Sequence, residues 1–148
     1  LRNTHAHQLA ASLVFYSPLQ TIFWYDNPTH YNGEPEISWF EKLETVFDES
    51  HVLAGYPGEG ITMARRKGDT WFVGVLGNND AREVEVDFSF LPAKTVWNAT
   101  VYSDGGDKVD TAAHVKIDTR KVRPSDRLRF ALQPRGGVAI RLEPLAGK

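Results

Sequence analysis

The hydrophobic pattern of this chain changes period near His51. Helical spacing mixed with one short apolar run gives way there to an unbroken series of alternating segments. The two halves imply different architectures, and fifty residues are too few to make a domain of their own. In the first half, Asn3 is the expected N-cap. Ala6, Leu9, Ala10, Leu13 and Val14 recur at helical spacing, so a helix is predicted to about Tyr16, ended by Ser17 and Pro18. Residues 19–25 (LQTIFWY) form a nearly continuous apolar and aromatic run, the pattern of a parallel strand covered on both faces. Asp26, Asn27 and Pro28 close it. Ile37, Phe40, Leu43 and Phe47, widened by Trp39 and Val46, then mark one face of a second helix. Helix, strand, helix is the order at the end of an α/β barrel, but a barrel needs about 250 residues and eight strands.

The second half reads as antiparallel β-structure. Strands are predicted over 61–66, 70–76, 82–90, 95–102, 114–121, 127–132 and 138–142, divided by turn-forming clusters such as Lys67-Gly68-Asp69 and Gly77-Asn78-Asn79-Asp80. Trp71, Val73 and Val75 point one way while Phe72, Gly74 and Leu76 point the other, which marks a central strand with two covered faces. Val84, Val86, Phe88 and Phe90 alternate with Glu83, Glu85, Asp87 and Ser89, which marks a strand with one face in solvent. Such a series of short strands argues for a β-sandwich, and its boundary with the first half is expected between Asp48 and Gly60.

Composition narrows the function. With 148 residues, 41% hydrophobic and 24% charged, the chain has room for one core and is not disordered as a whole. A net charge of −2 without a long basic run lacks the footprint of a nucleic-acid binder. No apolar run reaches the roughly 18 residues of a membrane span. The lack of cysteine removes disulfide and thiolate chemistry without choosing a compartment. Leu1 stands already inside a structured element and the sole methionine, Met63, is internal, so the chain is expected to be part of a longer protein.

The run from Arg2 to Ala10, then Val14 to Gln20, and Asp26-Asn27-Pro28 with Tyr31 resemble the end of the catalytic barrel in glycoside hydrolase family 97. Thr45 to Glu49, Gly58-Glu59, Ala64 to Asp69 with Trp71, and Asp80 through Leu91 are similar to that family's barrel exit and C-terminal domain. The resemblance implies a division into residues 1–50, the end of a catalytic TIM barrel, and residues 51–148, an antiparallel β-sandwich. It also implies a bacterial, periplasmic or secreted parent enzyme that hydrolyses α-glucosides or α-galactosides. In the family the catalytic carboxylates and calcium ligands lie upstream of every matched segment, so no catalytic or metal residue carries over. The implied function is a non-catalytic portion that packs on the barrel and supports oligomerisation. Its expected partners are the barrel, a second copy of the chain and, in the parent, an oligosaccharide. Any calcium belongs to the parent.

Glu34 with Glu36, and Asp48 with Glu49, are candidate catalytic pairs by composition. The first stands at a helix N-terminus where acids favour the macrodipole, and the second falls in an interdomain turn. His5 and His7, at i and i+2, face different ways on a helix and read as structural. Trp24, Asp26 and Tyr31, at the end of a barrel strand, are expected to line the sugar pocket of the intact enzyme only. Trp71, Trp97 and Tyr102 raise the alternative of a carbohydrate-binding module, which requires their rings to be exposed. Arg65-Arg66-Lys67 reads as a solvated hairpin, and Asp104-Gly105-Gly106-Asp107 as a turn rather than a calcium loop. A freestanding enzyme lacks both a nucleophile motif and enough chain to enclose a site. Freed from the barrel, the first half is expected to expose Leu9, Leu13, Ile22, Phe23, Phe40 and Leu43 and to dimerise through them.

Overall fold

The computed structural model describes residues 3–22, 24, 27–31, 33–105 and 115–145. The first helix, α1, spans His5–Val14 and buries Ala6, Leu9, Ala10, Leu13 and Val14 on one face. Its N-cap is Thr4, one residue beyond the predicted Asn3, because the Thr4 hydroxyl accepts the His7 N–H at 3.1 Å. Ten residues are too few for a stable isolated helix, so α1 depends on the surface it covers. A 3₁₀ turn at Pro35–Ile37 leads into α2, Ser38–Lys42. This second helix is shorter than predicted, and the chain is extended again at Leu43.

Eight strands follow: β1 Glu49–Tyr56, β2 Gly60–Lys67, β3 Thr70–Gly77, β4 Arg82–Asp87, β5 Trp97–Asp104, β6 Val115–Val122, β7 Arg127–Leu132 and β8 Gly137–Pro144. Six form an antiparallel sheet in the order β1-β2-β3-β8-β5-β6, while β4 and β7 pair as a second, two-stranded sheet. The expected antiparallel sandwich is therefore present. One core lies between the sheets, where Trp71, Val73 and Val75 meet Val86, Phe88, Trp97, Val101 and Ile140. A second core lies on the opposite face of the large sheet, where Phe72, Leu76, Tyr102 and Ala139 meet Leu9, Leu13 and Trp39. Both faces of β3 are thus covered, as its two-sided apolar pattern requires.

Two glycines set how closely α1 approaches. A Cβ on Gly74 would stand 3.0 Å from the Ala10 carbonyl oxygen and from Val14 Cγ2. One on Gly137 would stand 2.7 Å from His7 Cα. The helix backbone rests almost directly on the sheet, which fully buries Leu9 and Leu13. At about 1.5–3 kcal/mol for each such side chain, this contact accounts for a short helix being ordered.

Four expectations are corrected. The described residues of 19–25 form no strand, and Leu19 and Ile22 are exposed. An isolated strand has no neighbour to take its backbone hydrogen bonds; Phe23, Tyr25 and Asp26 lie outside the described residues. Leu9 and Leu13 are buried, and Phe40 and Leu43 are half-buried, because the sheet itself occupies the helical stripe assigned to the barrel. The stretch read as an interdomain turn is β1, so the change of period at His51 falls inside a strand. Finally, β4 stops at Asp87, where the carboxylate accepts the Ser89 N–H at 2.8 Å and turns the chain. The strand predicted over 114–121 is β6, and His114 lies outside the described residues.

Candidate functional site

His5, in the first turn of α1, is buried with Glu36, and its Nδ1 lies 3.1 Å from Glu36 Oε1. Trp24 covers the pair: its ring lies 4.4 Å from that of His5 and 5.4 Å from that of Phe40. Glu36 thus serves as the partner of a helical histidine rather than as a solvent-facing acid at a helix N-terminus. His7 turns the other way and meets the Gly136 carbonyl oxygen at 3.0 Å. The two histidines are separate structural anchors, as their spacing predicts.

Asp48 and Glu49 are likewise committed. Asp48 accepts the Gly68 N–H at 2.8 Å and meets Lys67 Nζ at 3.2 Å, and these contacts lower its pKa. Glu49, at the start of β1, meets His51 Nε2 at 2.5 Å and accepts Arg66 Nε–H at 2.9 Å, which lowers its pKa too. On the outer face of the small sheet, the Ser89 N–H and the Arg127 guanidinium pull Asp87 down to about 2. These are charge ladders on a solvated surface.

Arg65 departs from the expectation of a solvated hairpin. Its Nε donates to the Leu13 carbonyl oxygen at 2.9 Å and its Nη2 to that of Val14 at 3.3 Å, while its head lies 5.1 Å from the Tyr16 ring. The last carbonyls of a helix have no intrahelical donor, and a cation there also complements the macrodipole. A residue 51 positions downstream in the chain therefore caps α1, which no local pattern could reveal.

Asp104 does the corresponding work at the opposite end of the helix. Its carboxylate accepts the Gln133 N–H at 2.9 Å and the Gly137 N–H at 3.5 Å, and the Thr4 hydroxyl also bonds to it. Burial raises its pKa, and those donors oppose the rise. The turn between β7 and β8 wraps this group so tightly that a Cβ on Gly136 would strike it. The side chain is thus engaged by a turn; Gly106 and Asp107 lie outside the described residues. Among the described residues no three His, Asp or Glu side chains converge to hold a metal.

Trp71, Trp97 and Tyr102 are each 3% exposed, the first two in the core between the sheets and the third under Trp39. With none of these three rings on the surface, the module alternative loses the sugar platform it required. Of the residues expected at a sugar pocket, Trp24 is half-buried and lines a hollow with Gln8, Ser12, Gln20 and Phe40. Tyr31 is exposed, and Asp26 lies outside the described residues. Tyr31 is not among the residues that line that hollow. Two further hollows flank the β1–β2 hairpin. One is mixed, with Ile61, Val84, Glu59, Arg82 and Glu85 in its lining; the other is apolar and lies between that hairpin and α1.

Comparison with known proteins gives one consistent result. Residues 46–143 match the family model described as glycosyl-hydrolase 97 C-terminal, oligomerisation. The chain is 38% identical over 143 residues to a retaining α-galactosidase of Bacteroides thetaiotaomicron, covering 96% of this chain and 21% of that protein. It is 29% identical over 135 residues to a probable retaining α-galactosidase of Streptomyces bingchenggensis, covering 90% and 20% respectively. Among solved structures, a glycoside hydrolase family 97 enzyme from Pseudoalteromonas sp. strain K8, in complex with acarbose, superposes with a TM-score of 0.88 at 32% identity. That likeness covers 97% of this chain and 23% of the other. The chain spans about a fifth of the length of the curated relatives, and the likeness extends upstream of residue 46 through α1.

Proposed function

The chain belongs to glycoside hydrolase family 97, as its C-terminal, oligomerisation part, and from that premise we propose that it supports the catalytic barrel of an α-glycosidase without supplying a catalytic group. The observation that carries this reading is how its acids are used. Glycoside hydrolysis needs two carboxyl groups facing each other across the scissile bond. Here Glu36 is buried against His5, Asp48 and Glu49 are held by Lys67, Arg66 and His51, and Asp104 is enclosed by a turn. Each of these four acids is engaged by the fold, and none of the four lines a cleft opposite a second acid.

In this reading the segment before β1 leads out of the barrel, with α1 already packed on the large sheet, and the eight strands from Glu49 onward form the sandwich against the barrel. Trp24, Asp26 and Tyr31 contribute to the wall of the sugar pocket once the barrel is present. The parent is a periplasmic or secreted enzyme acting on α-linked glucosides or galactosides, and calcium, if used, binds to the barrel. The test is hydrolysis of nitrophenyl α-glucoside and α-galactoside by the purified chain. No turnover above the uncatalysed rate is expected, and measurable turnover would refute the reading. In the intact parent, Trp24→Ala is expected to raise KM at least several-fold. An unchanged KM would remove Trp24 from the pocket.

A further inference from the structure

The two edges of the large sheet differ in a way that bears on assembly. β1 is hydrogen-bonded to β2 on one side only, and among the described residues no strand pairs with its outer edge. An open edge invites pairing, and proteins usually block it with charge. β6, at the other edge, is blocked in this manner: Lys116, Arg120 and Lys121 are all exposed on it. Paired with a second copy about its own centre, β6 would set Lys116 against Lys121, an apposition of like charges. β1 carries no lysine or proline, and it exposes Val52 at 65% and Tyr56 at 69%. Its one carboxylate, Glu49, is already held by Arg66 and His51. The same symmetric pairing of β1 would leave the two copies of Glu49 about 24 Å apart at opposite ends of the contact.

Beside this edge runs an apolar groove of about 550 Å³, lined by Phe15, Val52, Tyr56, Pro57, Ile61 and Leu76. Phe15 is 72% exposed, so three large apolar side chains border one groove at an edge that carries no lysine or proline. Patches of this kind mark interaction surfaces on soluble proteins. A register shift between Val52 and Ala54 breaks the ladder to β2, and such a bulge disfavours a continuous intermolecular sheet. Side chains must therefore carry the contact.

We propose that the oligomerisation surface of this chain is the β1 edge with the adjoining groove, and that its occupant is the same surface of a second copy. The inference rests on the oligomerisation reading of the family and adds the location. It also moves the expected dimer contact away from Leu9 and Leu13, which are committed to the internal core. Val52 and Tyr56 of each copy lie in or beside the other's groove, related by a two-fold axis.

Sedimentation velocity of the 148-residue chain across the micromolar range, beside Val52→Lys combined with Tyr56→Ser, provides the test. Both side chains are solvent-exposed, so the melting temperature of the variant is expected to stay within about 3 °C of the parent. The parent chain is expected to dimerise and the variant to dissociate at least tenfold more readily. A second measurement is independent of that variant. The chain has no cysteine, so Val52→Cys is expected to cross-link to its counterpart with a short bis-maleimide, whereas Lys116→Cys on β6 is not. A dimer that persists in the double variant and fails to cross-link at 52 would overturn the location and leave the oligomerisation reading standing. A parent chain that stays monomeric throughout would overturn both.

Discussion

Replacing Arg65 tests whether a side chain remote in sequence holds α1 in place. Arg65→Met keeps most of the aliphatic stem but removes both donors to the Leu13 and Val14 carbonyls and the charge at the helix end. A charge-assisted hydrogen bond contributes about 1.5–3 kcal/mol when buried. The head of Arg65 is partly exposed and water can replace part of what is lost, so about 1 kcal/mol per bond is the appropriate figure. The helix-end charge adds about 0.3–1 kcal/mol, and the cation over the Tyr16 ring about 0.5 kcal/mol. Arg65→Met is therefore expected to destabilise the chain by about 3–3.5 kcal/mol, read as a lower urea midpoint at unchanged m-value. Arg65→Lys keeps the charge but loses the two-pronged geometry, and is expected to cost about half as much. Native-state hydrogen exchange should show protection falling first in α1. A loss below about 0.5 kcal/mol for Arg65→Met, or unaltered exchange in α1, would show that the helix is held by its apolar face alone.

Other outcomes follow from the same geometry. Gly137→Ala is expected to cost about 2–3 kcal/mol by driving a methyl group into the backbone of α1, whereas Gly58→Ala, where φ is +82° and nothing lies within 4 Å, should cost about 1 kcal/mol from backbone conformation alone; equal melting temperatures for the two would refute the close-approach argument. Because the folded state lowers Asp87 from 3.8 to about 2, its contribution is full above pH 3.8 and is lost as the pH falls toward 2; Asp87→Asn should flatten that acid limb in urea titrations. Asp104 has the opposite sign: its raised folded pKa favours the protonated form, so its contribution is present below the ordinary carboxylate range and lost as the pH rises through the folded value. Asp104→Asn should remove that dependence, while costing about 1 kcal/mol for one lost acceptor, and an unchanged pH profile would count against it.

Much of the sandwich is legible in the residues because its strands obey simple periods. The two-faced run of β3 and the clean alternation of β4 each state which side is covered. β1 is less legible: Val52, Leu53 and Ala54 are consecutive and straddle a bulge, so period-two counting fails where the register shifts. The stripe of α1 is legible as a stripe, but its target is not, since Leu9 and Leu13 satisfy a barrel or a sheet equally well. The run 19–25 has the composition of a strand, but composition cannot provide the neighbour that a strand requires. As for the candidate site, Trp71 is readable as core from Val73 and Val75 on its face. The roles of Glu36, Arg65 and Asp104 depend on partners 31, 52 and 29 positions away, beyond any local motif.

The depth to which α1 sits over Gly74 and Gly137 bears on how the family part can be exchanged. The matched region begins at residue 46, yet the outer face of its large sheet is finished by Leu9, Leu13 and Trp39, upstream of that point. Swapping residues 46–143 between relatives would bring Phe72, Leu76 and Ala139 against a helix shaped for another sheet. The unit that can be transplanted intact is larger than the region the family model matches and includes α1.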